Sequence, residues 1–268
     1  MTNRSLILSI VLLTSLTPLA RAHDLWLIPR ETADTKSKAI ISASVGMDFP
    51  KSEFAPDTER YPGKFVIEPA GKQIALKSAG KKGLFALLEF QPTKPGIHVV
   101  AVQTTPRVIE LEAAKFNEYL VTDGLAHIFR LRFKEKTLDK PGIERYQKSP
   151  KALLAIGDSD AGLWNQPTGL PLEIVPIDNP FRLKPRETMR VKVLFHGKPL
   201  PAANLGFHRP GDGDTPAGTI RTNERGEAMI PIVSTGLMTI RLTHMTRPRH
   251  ADYEWESFWT TLTFRIPR

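Results

Sequence analysis

In a chain without cysteine, seven histidines are the side chains best suited to hold a transition metal: His23, His98, His127, His196, His208, His244 and His250. None belongs to an H-E-x-x-H or H-x-x-x-H pattern, so no local zinc-protease motif is present. There is no G-x-S-x-G elbow, P-loop or dinucleotide fingerprint either. "GDGD" (211–214) has the start of a calcium loop but not its spaced terminal glutamate. His23 differs by its position, in "ARAHDLWLIP" (20–29), directly after the A-x-A cleavage signal Ala20-Arg21-Ala22. Cleavage there makes His23 the first residue, and its α-amine and a ring nitrogen then close a six-membered chelate ring. The free amine titrates at about 7.7–8.0, so a metal displaces one weakly held proton near neutral pH. Two nitrogens from one residue plus a second imidazole suit Cu(II) or Ni(II). Otherwise, His23 is simply the residue at the start of a strand.

A second ligand has to come from elsewhere in the fold. In "LMTIRLTHM" (237–245), His244 shares parity with Met238, Ile240 and Leu242, which turns it to the buried side near a strand end. It takes a hydrogen bond or a metal there. "RHADYEWESFW" (249–259) follows, with Asp252, Glu254 and Glu256 among aromatics. These carboxylates are ligands, orienting groups, or counter-charges for Arg247 and Arg249. His98, in "GIHVVAV", is an alternative ligand from the first half. His196 falls on a polar face with Arg190 and Lys192, and His127 and His250 read as surface residues.

The elements that must position these residues follow from pattern. Residues 1–22 read as a secretory signal, with Asn3 and Arg4 before the apolar run Leu6–Leu16. That run is well short of the ~20 residues a membrane span needs. The expectation is an exported, soluble, periplasmic protein of 246 residues from His23 to Arg268, not membrane-spanning after cleavage. The formal charge of +9 becomes +7 once Arg4 and Arg21 leave with the signal. The basic residues are scattered, and the densest cluster, "FRLRFKEK" (129–136), contains a glutamate, so nucleic-acid binding is not expected.

The predicted fold is mainly β: two immunoglobulin-like or transthyretin-like β-sandwich domains with a short helical insert between them. The N-terminal sandwich spans 23–110, where "AIISASVGM", "KFVIEP", "GLFALLEFQP" and "GIHVVAVQT" alternate with turn residues. The insert spans 111–168. It begins with two helical stripes in "ELEAAKFNEYLVTDGLAHIFRLRFKEK" (110–136). A third helix is predicted in "PGIERYQKSPKALLAIG" (141–157), split or kinked at Pro150. The C-terminal sandwich spans 169–268, beginning with the Pro-rich connector "GLPLEIVPIDNP". In its last strand Phe258, Thr260, Leu262, Phe264 and Ile266 alternate with Trp259, Thr261, Thr263 and Arg265, which predicts a sheet with one buried face.

"AHDLWL", "AAKFNEYL", "GLPLEIVPIDNP" and "HM…DYEWESFWTTLTF" together resemble a bacterial periplasmic family known as a domain of unknown function and formerly labelled a nickel-transport-complex subunit. The resemblance runs from His23 to the C-terminus. It implies a β-sandwich protein with a helical insert that accompanies metal or metal-chelate uptake. The family-like positions are His23, Asp24, His244, Met245, Asp252, Trp255 and Glu256. Pro150 departs from the uninterrupted helix the family has before "KALL".

Three functions follow as expectations. The first is a non-enzymatic exported accessory protein binding one divalent transition metal (nickel, copper or cobalt) in support of a membrane uptake complex. Its candidate ligands are His23, His244, Glu256, Asp24 and His98. The second is a copper oxygenase built on the N-terminal histidine, and the third is a metal-free interaction module of an uptake complex.

Overall fold

The computed structural model describes residues 23–30, 34–249 and 252–268. The predicted signal segment and His250 lie outside them. In chain order the strands are β1 (Asp24–Pro29), β2 (Ala39–Gly46), β3 (Gly63–Ile67), β4 (Gln73–Ala75), β5 (Lys77–Lys82), β6 (Phe85–Phe90), β7 (Gly96–Gln103) and β8 (Arg107–Leu111). Helices α1 (Ala113–Thr122) and α2 (Ala126–Lys134) come next, then β9 (Gly142–Lys148), β10 (Lys151–Ile156) and β11 (Leu172–Pro176). The chain closes with β12 (Thr188–Phe195), β13 (Lys198–Pro199), β14 (Asn204–His208), β15 (Gly218–Arg221), β16 (Glu227–Pro231), β17 (Gly236–Thr246) and β18 (Trp255–Ile266).

A ten-stranded sheet forms the middle of the molecule, in the order β15-β14-β17-β18-β10-β7-β3-β4, with β9 also beside β18 and β8 beside β9. It takes strands from both the 23–110 and the 169–268 segments. A four-stranded sheet, β1-β2-β6-β5, covers one of its faces, and a second, built from β11, β12, β13 and β16, covers the other. Strand parity fixes this arrangement. Ile97, Val99 and Leu153 join the core shared with Ile174, Val191 and Ile230. Their sequence neighbours Val100, Ala152 and Leu154 join the core shared with Leu27, Ile41 and Leu88. Successive side chains on a strand point to opposite faces, so β7 and β10 are buried on both. Each large apolar side chain sealed this way contributes about 1.5–3 kcal/mol. The protein is mainly β, and its sheets pack face to face.

The two helical stripes predicted in 110–136 form α1 and α2. Phe116, Tyr119, Leu120, Leu125 and Ile128 pack on Met245, Trp255 and Trp259 in a third core. The predicted third helix is not formed; 141–157 contains β9 and β10 instead. β9 runs parallel to β18 from Trp255↔Glu144 to Trp259↔Lys148, and β10 resumes beside the same strand at Lys151↔Leu262. Pro150, which has no N–H to donate, lies at the break between them, where a sheet tolerates it. The expected one-sided burial of β18 is also corrected, because both of its faces are covered. Trp259, Thr261 and Thr263 are as buried as Phe258 and Leu262. The threonine hydroxyls are satisfied in place, Thr261 Oγ1 donating to the Leu25 carbonyl at 2.8 Å and Thr263 Oγ1 bonding Thr239 Oγ1 at 3.1 Å.

Candidate functional site at the start of the first strand

β1 pairs antiparallel with β2 from Asp24↔Gly46 to Pro29↔Ile41, which sets His23 level with the end of β2. The chain then turns back: Glu53 N–H donates to the Val45 carbonyl at 2.8 Å, and Phe54 forms a β-bridge with Val45. Gly46 is required at this fold-back, since a Cβ there would stand 2.9 Å from the Lys51 carbonyl oxygen. The result is a pairing of residues thirty positions apart. His23 Nε2–H donates to Glu53 Oε2 at 2.8 Å, and Glu53 Oε1 accepts the Met47 N–H at 3.1 Å. Phe54 meets the imidazole edge-on at 5.7 Å. With Nε2–H committed to a carboxylate, the neutral ring carries its free lone pair on Nδ1.

His23 stands at the edge of a cavity of about 420 Å³ between the first sheet and α1. Its walls include Leu25, Phe54, Leu111, Tyr146, Lys148 and Trp259. The Lys148 ammonium donates to the His23 carbonyl oxygen and sits 4.5 Å from the Trp259 ring centre. Burial lowers the Lys148 pKa, against the opposing pull of Asp24, Asp123 and Glu144. Glu144 accepts from Tyr119 Oη at 3.2 Å and from Ser257 Oγ, while Trp259 Nε1 donates to Ser257 Oγ at 2.9 Å. Burial pushes the Glu144 carboxyl up to about 7, even though these hydrogen bonds and Lys148 act to lower it. Behind the cavity, the Arg241 guanidinium binds Asp123 and Asp24, the latter at 3.3 Å. Burial raises Asp123 to about 6 despite the charge of Arg241.

The five ligands expected from the sequence occupy separate environments. His23 faces Glu53, while Asp24 is consumed by Arg241. Glu256 pairs with Arg145. His98 is buried against Phe90, with Nδ1–H donating to the Gly96 carbonyl at 3.0 Å, and burial lowers its pKa. His244 does turn inward, as its parity predicts, meeting Phe195 at 4.6 Å with its pKa lowered to about 4, first by burial and then by His127 and His196. Among the described residues, no three His, Asp or Glu side chains converge as a metal-binding group. Glu53, Lys148, Glu144 and Asp123 escaped the sequence reading. Only Glu53 left a trace there, as a carboxylate placed where the chain must double back after β2.

These features define a mainly β protein with a cavity where its first strand, first helix and closing strand meet. The chain belongs to the family described as a domain of unknown function (DUF4198), whose model matches residues 20–246. That match ends before β18. No curated protein matches the chain. Among solved structures it is similar to a tetra-tandem repeat from the extending region of a large adhesion protein (10% identity, 92% of this chain and 50% of that one, TM-score 0.24). It is also similar to the D0-D1 domain of intimin (11% identity, 90% and 97%, TM-score 0.19). A third is Sidekick-1 immunoglobulin domains 1–4 (12% identity, 92% and 49%, TM-score 0.18). The chain thus spans about half the length of the first and third. Among the described residues, no helix is long and apolar enough to cross a membrane.

Proposed function

We propose that this is an exported, periplasmic metal-binding accessory protein supporting nickel-type transition-metal uptake or trafficking. In this reading, cleavage after Ala22 frees the His23 amine, and the amine and Nδ1 hold one divalent ion. The observation that carries it is the His23–Glu53 pair, with Nε2 2.8 Å from Glu53 Oε2. A carboxylate on the outer ring nitrogen fixes the tautomer, orients the ring and raises the basicity of the other nitrogen, as metal-binding histidines require. Nδ1 is also the nitrogen whose position in the ring closes the six-membered chelate with the α-amine. The His23 side chain is 17% exposed and Glu53 50%, so solvent reaches the pair. Further ligands would come from water or from the cargo's own chelator.

The test is the intact mass of protein exported with its leader, sprayed natively with and without Ni(II) and Cu(II). We expect a chain beginning at His23 with one tightly held ion. His23→Ala abolishes retention, and Glu53→Gln weakens it by about 10–100-fold, the usual effect of losing such an orienting group. A mature chain beginning elsewhere, or metal retained by His23→Ala, overturns the proposal.

A further inference from the structure

The cavity beside His23 carries more recognition chemistry than a metal chelate uses. We propose that it is a binding site for a small organic carboxylate with a flat, apolar body, held by Lys148 and Arg107. At about 420 Å³ it falls within the usual range for small-molecule sites. Two kinds of group face it. Tyr146, Trp259 and Phe54 supply ring surface, and Leu25, Ile109 and Leu111 supply aliphatic wall. Such a lining favours an apolar body over a bare inorganic ion.

The charged groups decide what the other end of the ligand must be. Three cations line the space: Arg60, Arg107 and Lys148. Arg60 is neutralised by Asp57 at 3.0 Å. The Arg107 guanidinium makes no ion pair or hydrogen bond with any described residue. Lys148 has three N–H donors and one hydrogen-bonded acceptor, the His23 carbonyl oxygen. The faces of Trp259 at 4.5 Å and Tyr146 at 5.7 Å lie against it, while Asp24, Asp123 and Glu144 act on it through space without a hydrogen bond to it. A partly desolvated ammonium with donors to spare is costly unless an anion completes it.

The one carboxyl buried on the cavity wall does not take that place. Glu144 is engaged by Tyr119 and Ser257 and makes no hydrogen bond or ion pair with Lys148. Two cations without carboxylate partners in contact, one a planar fork and one a point charge, suit a carboxylate head group. Lys148 on β9 and Arg107 on β8 lie on neighbouring strands, β8 pairing with β9 through Arg107↔Tyr146. One ligand head group spans that separation with its body against Tyr146. This site needs no metal and stands whether or not His23 chelates one.

The test is isothermal titration of the full exported protein at pH 7.5 in EDTA, with benzoate and indole-3-acetate as probes and their amides, benzamide and indole-3-acetamide, as neutral shape controls. The expected result is saturable binding of at least one acid, with its amide at least ten-fold weaker. Lys148→Met and Arg107→Gln are each expected to weaken that acid at least ten-fold. Arg107 is exposed, so its variant keeps the test valid if Lys148→Met fails to fold. Absence of saturable binding by both acids, equal affinity for acid and amide, or an acid affinity unchanged in Arg107→Gln overturns the proposal. Because EDTA is present throughout, failure of the metal reading leaves this result untouched.

Discussion

At the scale of single residues, the chemistry around β1 is set by which side chains lose water and which find partners. Glu144 shows the consequence most directly, with its carboxyl raised from 4.5 to about 7, chiefly by burial. Below pH 4.5 the folded and unfolded chains both hold this proton. As pH rises toward 7 the unfolded chain releases it while the folded one retains it, so rising pH removes the stability this group contributes. Glutamine cannot titrate. The melting temperature of Glu144→Gln relative to wild type should therefore increase steadily between pH 4.5 and 7.5, as followed by circular dichroism. A difference that stays flat with pH would show that Glu144 is not held protonated. Lys148 follows the same logic with opposite charge, since burial disfavours its ammonium. Glu53 lies half in solvent, oriented by the Met47 N–H and the His23 ring.

At the scale of elements, the segment 142–156 explains how the cavity acquires its floor. As a helix it would have presented Glu144, Tyr146 and Lys148 around a cylinder. As β9 it places all three on the cavity side, because they alternate with Ile143, Arg145 and Gln147. Helix α1 can then lie on β9 only because Gly142 has no side chain. A Cβ at that position would meet the Phe116 ring at 2.4 Å. Gly142→Ala should accordingly lower stability by about 1–3 kcal/mol, the usual cost of overpacking, as measured by urea unfolding. Phe116→Leu in the same background should recover part of that loss by vacating the space. If the double variant is less stable than Gly142→Ala by the full cost of the Phe116 truncation, the contact is not the cause.

At the scale of the whole molecule, Arg241 ties together parts of the chain distant in sequence. It lies on β17, Asp24 on β1, and Asp123 caps the C-terminal end of α1. Burial alone would lower the Arg241 pKa, but the two carboxylates raise it beyond its ordinary value. Removing the cation leaves both carboxylates buried without a counter-charge, which typically costs about 3–5 kcal/mol. Arg241→Met should show a loss of that order in urea unfolding, and Asp123→Asn in the same background should restore part of it. A loss below about 1 kcal/mol would mean that the network contributes little to holding the first strand against the closing one.

Strand parity was already readable in the order of the residues. The alternation in β18, the inward turn of His244, the two short helices after residue 110 and the mainly β character all follow from periods of two and 3.6, which depend only on near neighbours. The His23 chelate that we propose also rests on sequence alone, because it requires one residue and a cleavage signal. What tertiary structure alone decided was partnership. Residues 142–156 became strands because β18 offered a parallel edge more than a hundred residues away in sequence, outweighing their modest helical pattern. The Trp and Thr face of β18 became buried because the first sheet and the helices arrived on it. Glu53 came to His23 through the β1–β2 register and the chain reversal after Gly46. A side chain's own face is a local property, but what covers that face depends on contacts between segments far apart in the chain, and no window of sequence contains them.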